Sequence, residues 1–231
     1  MQRVSKRIEK LTTPQKQFFA EIIGTFIVVV LATGSVVLDA RAGGGILGLP
    51  FIASAPFVGV AIGVYLFGKI SMAHFNPAVS VGFLITGHIT PRQFGYYLAA
   101  ELIGALLASL FVMLVIGNYA DLGANAPDYS YPLPLIFGTE VLASGLLMAV
   151  IFMVVYTKNG LGGFSGIVIG GIVGLDIFFL AFISGASMNP ARALAPALFS
   201  GVLTNLWLYW TATFVGTGFV ALLVRKKFNN A

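Results

Sequence analysis

The chain has no cysteine among its 231 residues, and only 9% of them are charged. The first absence removes thiol catalysis, cysteine metal sites and a disulfide scaffold, and it leaves the redox compartment open. The second is more restrictive. A soluble domain carries about 25% charged residues, and a water-facing surface cannot be built from so few. Disorder and coiled coil fail on the same ground. What fills the chain is apolar: 58% hydrophobic residues, with a mean hydropathy of +0.95. The bilayer is therefore the expected solvent. A net charge of +5 resembles a nucleic-acid signal until its distribution is read, when it becomes a topology signal.

Six long apolar runs, at 18–38, 51–70, 91–116, 133–157, 163–183 and 205–224, each meet the ~20 residues needed to cross ~30 Å of hydrocarbon. Two shorter ones, near 76–87 and 189–200, do not. The first run is too long for a signal-peptide core and lacks a small-residue cleavage site, so it is read as a retained helix. Orientation follows from lysine and arginine. With six crossings, eleven of thirteen cations (Arg3, Lys6, Arg7, Lys10, Lys16, Lys69, Arg92, Lys158, Arg225, Lys226 and Lys227) share one side, and only Arg41 lies opposite. Both termini are thus expected in the cytoplasm, beneath the plasma membrane. Trp207, Trp210, Tyr96, Tyr97, Tyr129 and Tyr131 sit near run ends, where interfacial aromatics belong. The last cation, Arg192, falls inside an apolar piece, and an ionisable residue there is a functional candidate.

The two short pieces repeat each other. Residues 70–78, Ile-Ser-Met-Ala-His-Phe-Asn-Pro-Ala, match 183–191, Ile-Ser-Gly-Ala-Ser-Met-Asn-Pro-Ala, at six of nine positions. Glu21 in the first run has its counterpart in Glu140 in the fourth, and the pair Tyr97 and Gly104 is echoed by Tyr209 and Gly216. Three crossings per copy is an odd number, so the second copy enters the membrane the opposite way. Such inverted repeats place their site near the midplane. Asn followed by Pro is a helix start, with Asn as cap and Pro in the first turn. About eleven residues then give roughly 16 Å of helix at 1.5 Å per residue, half a bilayer. Each piece would enter as extended chain, turn at Asn-Pro-Ala and leave as a half-helix. Both positive helix ends then point at one spot.

The fold class expected is an all-α membrane protein with six transmembrane helices, two re-entrant half-helices and an inverted repeat. Its divisions are a basic cytoplasmic segment 1–17, a first repeat 18–116 with half-helix 76–87, an extracellular connection 117–132, a second repeat 133–224 with half-helix 189–200, and a cytoplasmic tail 225–231.

With paired Asn-Pro-Ala motifs, a glutamate in the first run of each half and an arginine just past the second motif, the chain resembles the aquaporin, or major intrinsic protein, family over roughly 18–224. The residues themselves also argue a mechanism. Each asparagine oxygen caps its half-helix and leaves the amide NH₂ to face the lumen, so Asn76 and Asn189 present donors to a passing oxygen. Facing positive helix ends oppose hydronium and other cations, as in aquaporin-type pores. The resemblance implies that carbonyls of 72–75 and 185–188 act as acceptors, and that the chain is a passive channel for water and other small neutral solutes, assembled as a homotetramer. No cofactor or metal is called for, and no nucleic-acid partner.

The resemblance also locates a selectivity filter: Pro56, Ile177, Ala186 and Arg192, with Phe57 replacing Pro56 if the register shifts by one. Water-selective relatives place an aromatic and a histidine at the first two positions, so Pro56 and Ile177 are departures toward a wider, less polar gate. Ala193, where glycerol-facilitating relatives carry Asp, and the pair Tyr209-Trp210 point toward water channels. Water is the expected solute, with glycerol, urea or ammonia as the alternative.

Glu21 and Glu140 are expected to brace the re-entrant loops by accepting backbone N–H groups, and His74 to brace the first loop. Glu101 stands where relatives carry Gln and has no assigned role. His88 is placed at a half-helix end, and Gly166, Gly170 and Gly174 are read as close helix packing. Two rival classes share some of these features. Gly163-Phe164-Ser165-Gly166 resembles the nucleophile motif of rhomboid-like proteases, but both histidines precede Ser165, so the base that family uses is absent and an enzyme is not expected. An ion-coupled transporter would conscript Glu21, Glu101, Glu140 and Asp176, against the repulsion of two positive helix ends and Arg192.

Overall fold

A computed structural model describes residues 12–157, 161 and 163–229. The helices run in the order α1 (Thr13–Arg41), α2 (Gly48–Ser71), α3 (Pro77–Ile85), α4 (Pro91–Val115), α5 (Leu133–Tyr156), α6 (Ser165–Ser184), α7 (Pro190–Ser200) and α8 (Leu206–Asn229). All but α3 and α7 are long and apolar enough to cross a membrane. Arg3, Lys6, Arg7, Lys10 and Lys158, five of the cations behind the topology argument, lie outside the described residues.

Local chemistry fixes the ends. The first helix begins at Thr13 rather than near residue 18, because Thr12 caps it: its N–H donates to Gln15 Oε1 at 2.9 Å, and Pro14 occupies the first turn. The half-helix α3 stops at Ile85, sooner than residue 87. The Thr86 hydroxyl bonds back to the Gly82 carbonyl at 3.0 Å, and Gly87 turns left-handed at φ 77°. Its counterpart α7 ends at Gly201, φ 82°.

Packing follows the inverted repeat. In the first half α1 lies against α2 and α4; in the second, α5 lies against α6 and α8. The halves meet where α2 packs on α6, and they exchange their short helices, α3 lying on α8 and α7 on α4. Glycines let the backbones approach. A Cβ on Gly104 would come within 2.5 Å of the Ile22 carbonyl, and one on Gly216 would collide with the Val141 carbonyl. Tyr97 and Gly104 recur as Tyr209 and Gly216 because each half uses the glycine for this approach. The spacing of Gly166, Gly170 and Gly174 has the same origin: each faces α2 backbone or the Phe57 ring.

Two aromatics expected at the interface serve inside instead. Tyr97 is fully buried and donates from its hydroxyl to the Ser71 carbonyl at 2.8 Å. Trp210 donates from Nε1 to the Pro190 carbonyl at 3.1 Å. Trp207, Tyr96 and Tyr129 are exposed.

Candidate functional site

The loops that join α2 to α3 and α6 to α7 are built alike. Past Ser71 the chain takes left-handed φ at Met72 (66°), Ala73 (54°) and Phe75 (52°); past Ser184 it does so at Gly185 (85°), Ala186 (40°) and Met188 (55°). A non-glycine residue in that region costs about 1–3 kcal/mol and persists only where its surroundings over-determine it. Here the surroundings are two buried carboxylates. Glu21 accepts the His74 and Phe75 N–H groups at 3.1 and 2.7 Å. Glu140 accepts those of Ser187 and Met188 at 3.2 and 2.6 Å, and the Ser184 hydroxyl at 2.9 Å. The tyrosines complete the symmetry, Tyr97 holding the Ser71 carbonyl and Tyr209 that of Ser184 at 2.6 Å.

The Phe75 ring fills a slot that exists only because Gly24 and Gly63 lack side chains; a Cβ at Gly63 would lie 2.6 Å from it.

These braces bring the two Asn-Pro turns together. The Asn76 oxygen accepts the Ala78 N–H at 2.9 Å, and the Asn189 oxygen accepts Ala191 and Arg192 N–H at 3.0 and 3.2 Å. Each amide nitrogen also reaches across: Asn76 Nδ2 donates to the Met188 carbonyl at 2.7 Å, and Asn189 Nδ2 to the Phe75 carbonyl at 2.8 Å. One of the two hydrogens on each amide is therefore committed to the opposite loop, leaving the second for the lumen. The cross-bonds fix the separation of the asparagines, which an amide with both hydrogens free would not do.

Both asparagines line a cavity of about 300 Å³. Val28, Val60, Val173, Leu147 and Ile151 supply its apolar wall, and residues 72–76 and 185–189 run along it. Among those loop residues, the Phe75 and Met188 carbonyls are taken by the asparagines and the Gly185 carbonyl by Asn125 Nδ2, at 2.9 Å. The carbonyls of 72–74 and 186–187 are the ones not engaged in this way.

Pro56, Ile177, Ala186 and Arg192 lie on the same cavity. Phe57 does not: its ring and carbonyl face Gly170 and Gly174 of α6. Phe57 does not replace Pro56 on the cavity, because the stripe of α2 facing it runs Ile52, Pro56, Val60, at intervals of one helical turn. Arg192 Nη1 donates to the Gly123 carbonyl at 2.9 Å and to the Asn125 side chain. Asn125 was not singled out in the sequence. It follows the turn Ala120–Gly123, whose left-handed Ala120, Asp121 and Leu122 carry no glycine signal.

Glu101 gains a role as well. It accepts the Ser80 hydroxyl at 2.6 Å, and Ser80 Oγ lies 2.8 Å from His74 Nδ1. The His74 ring stacks on Phe83 at 4.3 Å. This chain of three buried side chains stiffens the first half-helix against the loop that precedes it. The histidines are held elsewhere in hydrogen bonds: His74 bonds Ser80, while His88 bonds Thr86 and lies 3.4 Å from the Tyr156 hydroxyl. Among the described residues, no cluster of three or more metal-ligating side chains occurs.

The architecture and the motifs agree with known proteins. The chain matches the family described as Major intrinsic protein over residues 8–224. It is 35% identical to aquaporin NIP1-1 of Zea mays over 202 residues, covering 87% of this chain and 71% of that one. It is 36% identical to aquaporin TIP4-4, also of Zea mays, over 204 residues, covering 85% and 80%. Its fold superposes on the X-ray structure of the aquaglyceroporin from Plasmodium falciparum with a TM-score of 0.79 at 23% identity, covering 92% of this chain and 96% of that one. The chain belongs to the major intrinsic protein family, and its two capped half-helices meeting in a membrane-spanning bundle are that family's architecture in these residues.

Proposed function

We propose that the protein is a passive channel that admits water and small neutral solutes and excludes protons and ions. The observation that carries this reading is the convergence of Asn76 and Asn189, each capping a half-helix and each tied to the other's loop. A molecule crossing that point meets two amide donors and two positive helix ends, so it offers its oxygen lone pairs and turns its hydrogens away. A cation meets the same ends as a barrier, with Arg192 adding fixed charge. The apolar wall gives a solute few hydrogen bonds to hold it, which suits rapid passage.

Pro56, Ile177, Ala186 and Arg192 form the filter in this reading, Asn76 and Asn189 the central constriction, and Glu21, Glu140 and His74 the loop braces. Three aliphatic side chains at the filter leave room for neutral solutes of the glycerol and urea class beside water. The lysine and arginine distribution supports cytoplasmic termini, and family membership supports a plasma-membrane homotetramer with one pore per subunit. Stopped-flow light scattering of proteoliposomes tests the solute: glycerol and urea gradients should re-swell the vesicles, at rates independent of any imposed ion gradient. Re-swelling no faster than in empty vesicles would restrict the channel to water, and gradient-dependent uptake would replace it with a transporter.

A further inference from the structure

Pro56 differs from the other filter residues in what it does to the backbone. It sits inside α2, and Ile52, Pro56 and Val60 all line the cavity, so this stripe of the helix faces the lumen. In an α-helix the carbonyl of residue 52 points along the axis at the N–H of residue 56. Proline has no N–H, and its ring crowds the carbonyl four residues back. The Ile52 carbonyl thus loses its helical partner at residue 56, on the stripe of the helix that borders the cavity. Carbonyls freed at membrane depth persist where a watery cavity satisfies them.

Arg192 lines the same cavity and holds Gly123 and Asn125 through Nη1, which leaves its Nε and Nη2 hydrogens for a solute. The third and fourth lining residues, Ile177 and Ala186, offer only hydrocarbon side chains.

We infer that Pro56 determines specificity by presenting the Ile52 carbonyl as a hydrogen-bond acceptor in the filter, opposite the donor Arg192. The inference rests on the filter assignment and the neutral-solute reading above. The pairing suits a solute that both accepts and donates: one oxygen receives Arg192 while a neighbouring hydroxyl hydrogen is taken by Ile52. A polyol meets both. The proline supplies by backbone chemistry the polar contact that an aliphatic filter otherwise lacks.

The test is the ratio of glycerol to water permeability in proteoliposomes of wild type, Pro56→Val and Pro56→Ala. Valine restores the N–H at nearly constant volume, and alanine restores it while widening the filter. The ratio should fall about two- to tenfold in both, the worth of one hydrogen bond, with water permeability retained. A ratio unchanged in Pro56→Val, or raised in Pro56→Ala, would mean that the ring acts by size alone and would overturn the inference while leaving the channel reading intact. Absence of glycerol flux in wild type, with water flux present, would overturn both the inference and the wider-solute reading.

A second measurement needs no variant. Ile52-Ala53 is the sole Ile–Ala pair in the chain, so carbonyl-¹³C isoleucine with ¹⁵N alanine gives one solid-state NMR correlation, that of the Ile52 carbonyl. Its ¹³C shift should move as glycerol is added to the protein in lipid. A shift insensitive to saturating glycerol would refute the contact.

Discussion

Arg192 and Asn125 are joined side chain to side chain, and the other end of the Asn125 amide holds the Gly185 carbonyl at 2.9 Å. One amide thereby ties the arginine of the proposed filter to the second re-entrant loop, and the Gly123 carbonyl holds the same guanidinium nitrogen at 2.9 Å. A long side chain fixed at one nitrogen by two acceptors loses the rotamer freedom that would blur a filter.

Replacing Asn125 with alanine should therefore loosen Arg192 without removing its charge. The urea-to-water permeability ratio is expected to rise by about twofold or more, since one hydrogen bond to a charged group is worth about 1.5–3 kcal/mol. Arg192→Val should raise it further. Equal ratios in wild type and both variants, from stopped-flow light scattering, would remove Arg192 from the filter.

Glu140 holds its loop by three accepted hydrogen bonds. Glu140→Ala would strand two buried backbone N–H groups and a hydroxyl, at about 1–3 kcal/mol each, which is a large share of the stability of most folded domains. Glu140→Gln keeps one acceptor oxygen and should lie between. The order of thermal midpoints in detergent should be wild type, glutamine, alanine.

Close approach of α1 and α4 depends on Gly104, where a Cβ would sit 2.5 Å from the Ile22 carbonyl. Gly104→Val should abolish recovery of folded protein by size-exclusion chromatography. Gly95 lies on the same helix with nothing within 4 Å of a Cβ, and Gly95→Ala should be recovered like wild type. Comparable yields from both variants would contradict the packing.

His88 lies past the end of α3, where partial burial holds its imidazole below the usual 6.5. Its ring is bracketed by Phe83, Phe152 and Tyr156, none of which favours a charge by ion pairing. The folded protein resists a proton that the unfolded chain accepts, so stability is full above about pH 6.5 and declines as the pH falls below it. The loss levels off once the pH passes the folded-state value. His88→Gln should flatten this part of the thermal-midpoint profile between pH 8 and 5, and a profile unchanged by the substitution would contradict the assignment.

Much of the fold was legible because its signals are local and redundant. Asn76-Pro77 and Asn189-Pro190 mark helix starts by themselves, the repeat marks their inversion, and Glu21 and Glu140 recur at matching places. Tertiary partners were not. Asn125 lies in a non-periodic stretch whose left-handed residues are not glycine, so nothing in the order of residues ties it to Arg192. Likewise the slot that Gly24 and Gly63 make for Phe75 joins positions remote in sequence. The commitment of one asparagine hydrogen to the opposite loop follows from a distance, which no motif encodes. Tyr97 was misplaced at the interface because a run-end aromatic looks alike whether it faces lipid or caps Ser71.

Two asparagine-capped half-helices that pass neutral molecules must also refuse charge. Purified protein in vesicles loaded with a pH-sensitive dye tests both parts at once: a sucrose step reads water efflux, and an acid step reads proton entry. Water efflux should be many-fold faster than in empty vesicles, with proton entry no faster than theirs. Water efflux at the empty-vesicle rate, or proton entry that rises with the amount of protein, would contradict the account.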